Sequence, residues 1–298
     1  MNLSTGEIEI QGRLCRIANV DGDGYKFLDN PELLLAELRK SKMRVDLFTF
    51  IQKLPDAHPK YSYPIEWDNM AVLPVFTFDH WWTQQIGFKA RNKAKQAEKK
   101  GIVIREVPFD DLLIRGIWEI YNECPIRQER LFPHYGKSLE AVREVSATFL
   151  DTSIFVGAFD GEKLIGFIKL TADNGWTQAG IMHIVSLLAY RDKSPTNALI
   201  MQAVRSCAER GISSLVYSKF AYGKKQRSSL SDFKERNGFQ RVSIPRYYAP
   251  LTRWGSLAFA MGLHHRLAER VPEPVAAKLR AWRGAWYQHK FQLKVETL

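Results

Sequence analysis

The stretch YRDKSPTNALI (residues 190–200) decides how this chain reads. The apolar run IMHIVSLLA leads into it, and ALIMQAVRSCAERG, apolar at helical spacing, carries it on, so the pattern predicts a strand, a tight turn and a helix. The first N–H groups of a helix lack intrahelical partners, which makes such a turn a natural seat for a phosphate. Cradles of this kind usually carry glycine, so that the backbone can approach the ligand, and this turn has none. Ser194 suits the N-cap and Pro195 the first helical position, although proline also deletes one N–H. Two readings stay open. Either Arg191, Lys193, Ser194, Thr196 and Asn197 hold an anion with the help of the helix dipole, or they form a well-capped helix beside a sheet.

Working outward, residues 102–250 give a regular series. IVIREV is a strand, DDLLIRGIWEIYNEC and LEAVREVSATFL are helices, and the polar-aromatic loop PIRQERLFPHYGKS lies between them. SIFVGAFD and KLIGFIKLTAD form a hairpin about Gly161; then come QAGIMHIVSLLAY, the opening turn and its helix. SSLVYSKF (strand), SSLSDFKERNGF (helix) and QRVSIPRYYAPL (strand) complete it. A meander running into a βαβ crossover predicts an α/β (α+β) fold with a mixed central sheet flanked by helices.

The first hundred residues also alternate. EIEIQGRLCRIANV reads as a strand or hairpin ending at a DGDG turn (21–24), NPELLLAELRKSK as a helix with Asn30 and Pro31 at its start, and MRVDLFTFIQKL and MAVLPVFTF as strands. HWWTQQIGFKARNKAKQAEKKG reads as one helix closed by Gly101, strongly basic from Lys89 to Lys100. That charge describes either a solvated face or a contact with phosphates. Residues 251–298 read as two basic helices broken near Pro272 and Pro274, with Trp254, Trp282, Trp286 and Tyr287. A basic, tryptophan-bearing segment can lie at a membrane interface or pack on its own domain.

Composition narrows the classes. Apolar residues make up 45% and charged residues 25%, which is the globular balance, and 43 Lys+Arg against 32 Asp+Glu leave a net charge of +11. An anionic partner follows: nucleic acid, a phosphate-bearing cofactor or an acidic membrane surface. Cys15, Cys124 and Cys207 are few, widely spaced and without a CxxC, which argues against a disulfide framework or a zinc site, and no metal is expected. The polar N-terminus and the lack of a long uncharged apolar run lead to the expectation of a cytoplasmic protein, peripheral at most to the inner membrane face.

With these residues in view, the stretch from about 102 to 250 resembles a GNAT-fold acyltransferase. In that superfamily the turn reads Arg/Gln-x-x-Gly-x-Gly/Ala and holds the pyrophosphate of an acyl-CoA; here Arg191 matches the first position, with Ser194 and Thr196 in place of the glycines. FKERNGF is similar to the family's late helix ending in Gly-Phe, with Phe233 where a tyrosine is frequent. HWWTQQIGFKARNKAKQAEKKGIVIREV resembles the segment joining the two GNAT-like halves of Fem-type peptidyltransferases, which take aminoacyl groups from tRNA to a peptidoglycan precursor. The resemblance covers about 30–250 and implies a reduced GNAT-like module over 1–95 and an acyltransferase domain over 96–250; it leaves the basic amphipathic helices over 251–298 unexplained.

Acyl transfer to an amine needs donor anchoring, carbonyl polarisation and a route for protons. There is no GxSxG elbow and no Cys–His pairing, which argues against a hydrolase. His183 and Tyr217 are the candidates for proton transfer; a lone His in an apolar strand is more often a hydrogen-bonded core residue, and Tyr217 reads equally as structural. Arg127, Arg130, His134, Tyr135 and Lys137 cluster in the loop that the resemblance places on the acceptor side, and arginines beside aromatic rings suit a carboxylate or phosphate. A second polar run, YSKFAYGKKQRSS with Gly223, either closes over the donor or is a surface loop. Three readings result. The first is an N-acyltransferase using acyl-CoA on a small-molecule or peptide amine. The second is a Fem-type enzyme using aminoacyl-tRNA, and the third a catalytically silent module binding an anionic polymer or membrane.

Overall fold

The computed structural model describes residues 2–3, 6–20, 28–127, 130–222, 228–265 and 271–291. The DGDG turn and the Gly223 segment of the second polar run lie outside them. In chain order the elements are β1 (Asn2–Leu3), β2 (Gly6–Gln11), β3 (Ile17–Val20), α1 (Pro31–Lys40), β4 (Leu47–Ile51), β5 (Ile65–Pro74), α2 (Phe78–His80) and α3 (Phe88–Lys99). Next come β6 (Ile102–Glu106), α4 (Asp111–Asn122), β7 (Ile126–Arg127), β8 (Arg130–Leu131), α5 (Leu139–Ser146), β9 (Ser153–Asp160), β10 (Lys163–Ala172) and β11 (Gln178–Ser186). They end with α6 (Pro195–Glu209), β12 (Ser214–Lys219), α7 (Ser229–Arg236), β13 (Gln240–Pro250), α8 (Arg253–Ala260) and α9 (Glu273–Phe291).

The expected mixed α/β architecture is present. Eleven strands form one twisted sheet in the order β1-β2-β3-β4-β13-β5-β12-β11-β10-β9-β6, and β7 and β8 make a small separate hairpin inside the loop after α4. β5, from the first hundred residues, sits between β12 and β13 and pairs antiparallel with both. Residues on either side of position 95 therefore share one hydrogen-bonded sheet. Two principal apolar clusters lie along it. The larger joins α3, α4 and α6 to β9, β10 and β11; the smaller packs Leu34, Leu35 and Leu38 of α1 on Phe48 and Phe50 of β4 and on Tyr247 of β13. Helix α1 has its apolar side chains at positions three and four apart, which is why one face disappears into this cluster.

The segment from His80 to Gly101 differs from the single helix expected. After α2 one π-helical turn spans Trp81–Gln85, Ile86 and Gly87 are extended, and α3 starts afresh. The break has a local cause. Buried Trp81 donates its indole N–H to the carbonyl of Asn237 at 2.9 Å, and the Gly87 N–H donates to the carbonyl of Arg236 at 2.8 Å, so the end of α7 occupies the line a continuous helix would need. A Cβ on Gly87 would lie 3.1 Å from that Arg236 oxygen. Beyond the break, Ala90, Ala94 and Ala97 turn α3 onto α6, while Lys89, Lys93, Lys95 and Lys99 are exposed.

Helix α8 docks by close backbone approach. Buried Asp46 accepts from the backbone N–H of Arg16 at 2.9 Å and from the hydroxyl of Thr252, the N-cap residue of α8, at 3.0 Å. A Cβ on Gly255 would meet the Asp46 carbonyl oxygen at 1.9 Å, and that atom is backbone and cannot step aside. Gly255→Ala should therefore lift α8 from the sheet and lower stability by about 1–3 kcal/mol, the range for overpacking a close contact. Chemical denaturation of the two proteins checks this; unchanged midpoints would show that α8 does not dock in this way.

Candidate functional site

The site forms where two parallel strands part. β11 and β12 pair at Gln178–Ser214, Ala179–Leu215 and Gly180–Val216, and nowhere further, although β11 runs on to Ser186 and β12 to Lys219. On the β11 side a bulge after Ile181 shifts the register with β10, so that Lys169 faces His183 while Leu170 faces Ile181. On the β12 side the pairing with β5 shifts between Val216 and Lys219, and Ser218 adopts φ +49°. The strands separate into a notch, and beyond Gly180 the edge of β11 facing β12 has no strand partner. Free backbone N–H groups on such an edge are what polarisation of a carbonyl requires.

Lys234, which the sequence reading did not single out, underlies the β12 wall. Its side chain is fully buried, and its ammonium donates to the carbonyl of Tyr217 at 2.8 Å and of Lys219 at 2.6 Å, spanning the kinked Ser218. It also lies 4.4 Å from the Tyr217 ring centroid and 5.1 Å from that of Tyr222. No carboxylate pairs with it among the described residues, and burial lowers its pKa to about 8. Tyr217 is half-buried, edge-on to Phe239. Lys169 is a second fully buried cation with a different task. It donates to the carbonyls of Ser146 (2.9 Å) and Thr148 and to the Thr148 hydroxyl (3.2 Å), so it closes the C-terminal end of α5, where a positive charge is favourable. Its pKa is lowered to about 8, again by burial.

His183 and His134 meet, 49 positions apart in sequence. Their ring centroids lie 5.3 Å apart; His134 stacks on Tyr121 of α4 at 4.5 Å, and Phe132 and Phe167 fill the surroundings. The Nε2 of His183, the Nδ1 of His134 and the hydroxyl of Tyr121 are buried without a partner among the described residues. Burial, helped by nearby positive charge, lowers His183 to about 3 and His134 to about 4. A base that weak takes a proton from an amine poorly near neutrality. His183 and Tyr217 sit in separate clusters, the first with Tyr121 and His134, the second with Lys234 and Phe239.

The opening turn is largely spoken for by its own protein. Ser194 adopts φ +54° and makes no side-chain cap bond, unlike the N-cap expected. Lys193 pairs with Asp160 at 2.6 Å. The hydroxyl of Thr196 lies 3.2 Å from that of Ser186, and buried Asn197 reaches Asn237 at 3.4 Å. Glu123, absent from the sequence reading, takes the backbone N–H groups that follow β11: Leu188 donates to its Oε2 at 2.7 Å and Ala189 to its Oε1 at 3.1 Å. Arg127 pairs with the same carboxylate at 2.9 Å and donates to the Ser186 carbonyl at 2.8 Å, so it braces the end of β11. Arg191 is exposed at the turn. Arg130 and Tyr135 are exposed on the loop, and Lys137 is half-buried, its carbonyl accepting from the Trp118 indole at 3.0 Å.

The depressed histidines fix a pH dependence. Folding holds both imidazoles below their ordinary 6.5, so the unfolded chain binds protons that the folded chain refuses. Their contribution is complete above about pH 6.5 and is lost as the pH falls through 4 and 3. The Tm should drop over that window, and less steeply in His183→Phe; equal slopes for both proteins would contradict the burial of this imidazole.

The sequence matches no protein-family model and no curated protein. Solved structures do match the fold. The C-terminal domain (DUF2156) of a putative lysylphosphatidylglycerol synthetase from Agrobacterium fabrum aligns with a TM-score of 0.55 at 14% identity, over 85% of this chain and 82% of that one. FemX aligns at 0.55 and 9% identity over 80% and 83%, and L-PGS from Bacillus licheniformis at 0.52 and 15% over 82% and 80%. At these identities the likeness is one of fold. The chain shares their fold, a mixed sheet flanked by helices in the arrangement seen in FemX.

Proposed function

We propose that this chain is an aminoacyltransferase that takes its acyl group from the ester at the 3′ end of a charged tRNA and passes it to an acceptor at an anionic membrane surface. The observation that carries the reading is the state of the donor turn. A pyrophosphate needs several free N–H groups and cations at one place; here Glu123, Asp160, Ser186 and Asn237 engage the groups that would serve it. Beside the turn, Lys100 at the end of α3 donates to the Asp192 carbonyl at 2.8 Å, and the exposed lysines of α3 form a basic ridge leading away from it. A ridge of separate lysines suits the spaced single phosphates of an RNA strand. Acyl-CoA as donor, the first expectation from sequence, has the fold in its favour but a weaker cradle.

In the reaction the acceptor's nitrogen or oxygen attacks the ester carbonyl carbon, the bond to the ribose oxygen breaks, and the acceptor proton ends on that departing oxygen. The open edge of β11 offers N–H groups to the carbonyl oxygen as it gains charge. Lys234, a buried cation with no anion beside it, supplies the positive field behind the opposite wall. The acceptor side lies under α9, whose Tyr287 and Phe291 pack on Cys124, Ile126 and Leu188. Another face of α9 is apolar and open to water: Val275, Leu279, Trp282 and Trp286 follow one another at helical spacing, with Trp282 80% exposed. Lys278 and Lys290 flank that stripe. Tryptophans beside lysines favour the headgroup level of an anionic bilayer. Lysylphosphatidylglycerol, in the name of one relative of like fold, joins an aminoacyl group to such a lipid.

Two measurements test this. Charged tRNA should bind with an affinity that falls by about tenfold or more between 50 and 200 mM salt, and Lys234→Met should keep the binding but lose transfer to vesicle-borne acceptor, read by mass spectrometry. Saturable acyl-CoA binding with no salt-dependent RNA binding would reverse the choice of donor. Vesicles containing phosphatidylglycerol should sediment the protein, vesicles of phosphatidylcholine should not, and Trp282→Ser with Trp286→Ser should abolish the difference. Unchanged sedimentation of the double variant would remove α9 from the membrane contact.

A further inference from the structure

Glu66 of β5 and the adjacent pair His264 and His265, in the turn after α8, converge far apart in sequence. The Nε2 of His264 lies 2.9 Å and the Nε2 of His265 3.0 Å from the same oxygen, Oε1 of Glu66. Their ring centroids are 4.0 Å apart. We propose that these three side chains form a Zn2+ site that pins the C-terminal segment to the sheet. The site uses none of the residues at the notch, so its failure leaves the proposed transferase untouched.

Three features make it a built site. First, the donor set is two imidazoles and one carboxylate, a zinc combination that leaves one position for water. Glu66 is one-third exposed and His265 40% exposed, so solvent reaches that position. Second, the ligands are oriented by neighbours. The Tyr248 hydroxyl donates to Oε2 of Glu66 at 3.2 Å and leaves Oε1 to the imidazoles. His264, only 3% exposed, stacks on Phe259 at 4.6 Å and meets Tyr248 at 4.7 Å, which fixes its ring. Third, the spacing is close to what the ion needs. Bonds of about 2.0–2.2 Å in a tetrahedron set ligand atoms roughly 3.4 Å apart, so an outward shift of a few tenths of an ångström admits the metal, and exposed His265 can supply it. Each imidazole would bind through Nε2 and carry its proton on Nδ1. The Nδ1 of His264 is buried with no acceptor among the described residues, and loss of such an outer partner typically weakens a site about 10–100-fold, which points to an affinity nearer micromolar than nanomolar.

The cysteines gave no hint of this site: all three are buried, and none is among its ligands. Its consequence is mechanical: the turn leading toward α9 would be tied to β5, the strand that joins the two halves of the sheet. Tag-free protein stripped with a chelator and titrated with ZnCl2 in a calorimeter should take up one Zn2+ per chain. Co2+ in its place should give the intense visible bands of a tetrahedral site. His265→Ala and Glu66→Gln should each weaken zinc by at least about tenfold and abolish the zinc-dependent rise in Tm of the parent protein. His265 is the safer test because His264 packs against two rings and its loss could unfold the turn. The absence of saturable 1:1 binding, or zinc affinity unchanged in both variants, would overturn the proposal.

Discussion

Only three residue pairs join β11 to β12, and the arrangement of the site depends on the strands separating after them. Two parallel strands in mid-sheet would ordinarily satisfy each other along their length. Here the bulge in β11 and the left-handed Ser218 in β12 turn the chains apart, and the backbone groups so released need other partners. Lys234 takes the carbonyls of Tyr217 and Lys219; Glu123 takes the N–H groups of Leu188 and Ala189; Arg127 takes the carbonyl of Ser186. The notch is thus a defect in the sheet whose rim is satisfied in part by charged side chains.

Two fully buried lysines in one chain would be costly if they were there for packing alone. Lys169 is accounted for by the end of α5, whose carbonyls it closes. Lys234 differs because its acceptors belong to the wall of the notch. Both keep their charge near neutrality, since burial lowers them only to about 8. Burial lowers the histidines in the same sense, but from a lower starting value, so they stay neutral. The notch therefore has a positive wall, and the loop after α4 carries a neutral aromatic cluster.

The C-terminal segment is more than an appendage. Helix α8 rests on the Asp46 backbone, the turn after it meets Glu66, and α9 lies on the loop that follows α4. It spans both halves of the sheet and ties α9 to the loop after α4.

Much of the fold was legible in the sequence because period and punctuation are local. The order of strands and helices from 102 to 250, the helix opened by Pro31 and the buried strand Leu47–Ile51 all follow from spacing, and the structure has them. The turn at 190–200 was placed correctly between strand and helix, but its chemistry was not readable. Whether Lys193, Thr196 and Asn197 face a ligand depends on Asp160, Ser186 and Asn237, which only folding brings to them. The break at Gly87 was hidden for the same reason, since its cause is the end of α7. So were Glu123 and Lys234, ordinary charged residues in helical sequence until the sheet parts beside them. The sequence by itself determined most of the strands and helices, since side-chain period acts over neighbouring residues. The tertiary structure alone decided which charges are buried and what they touch, because desolvation and pairing depend on residues far apart in the chain.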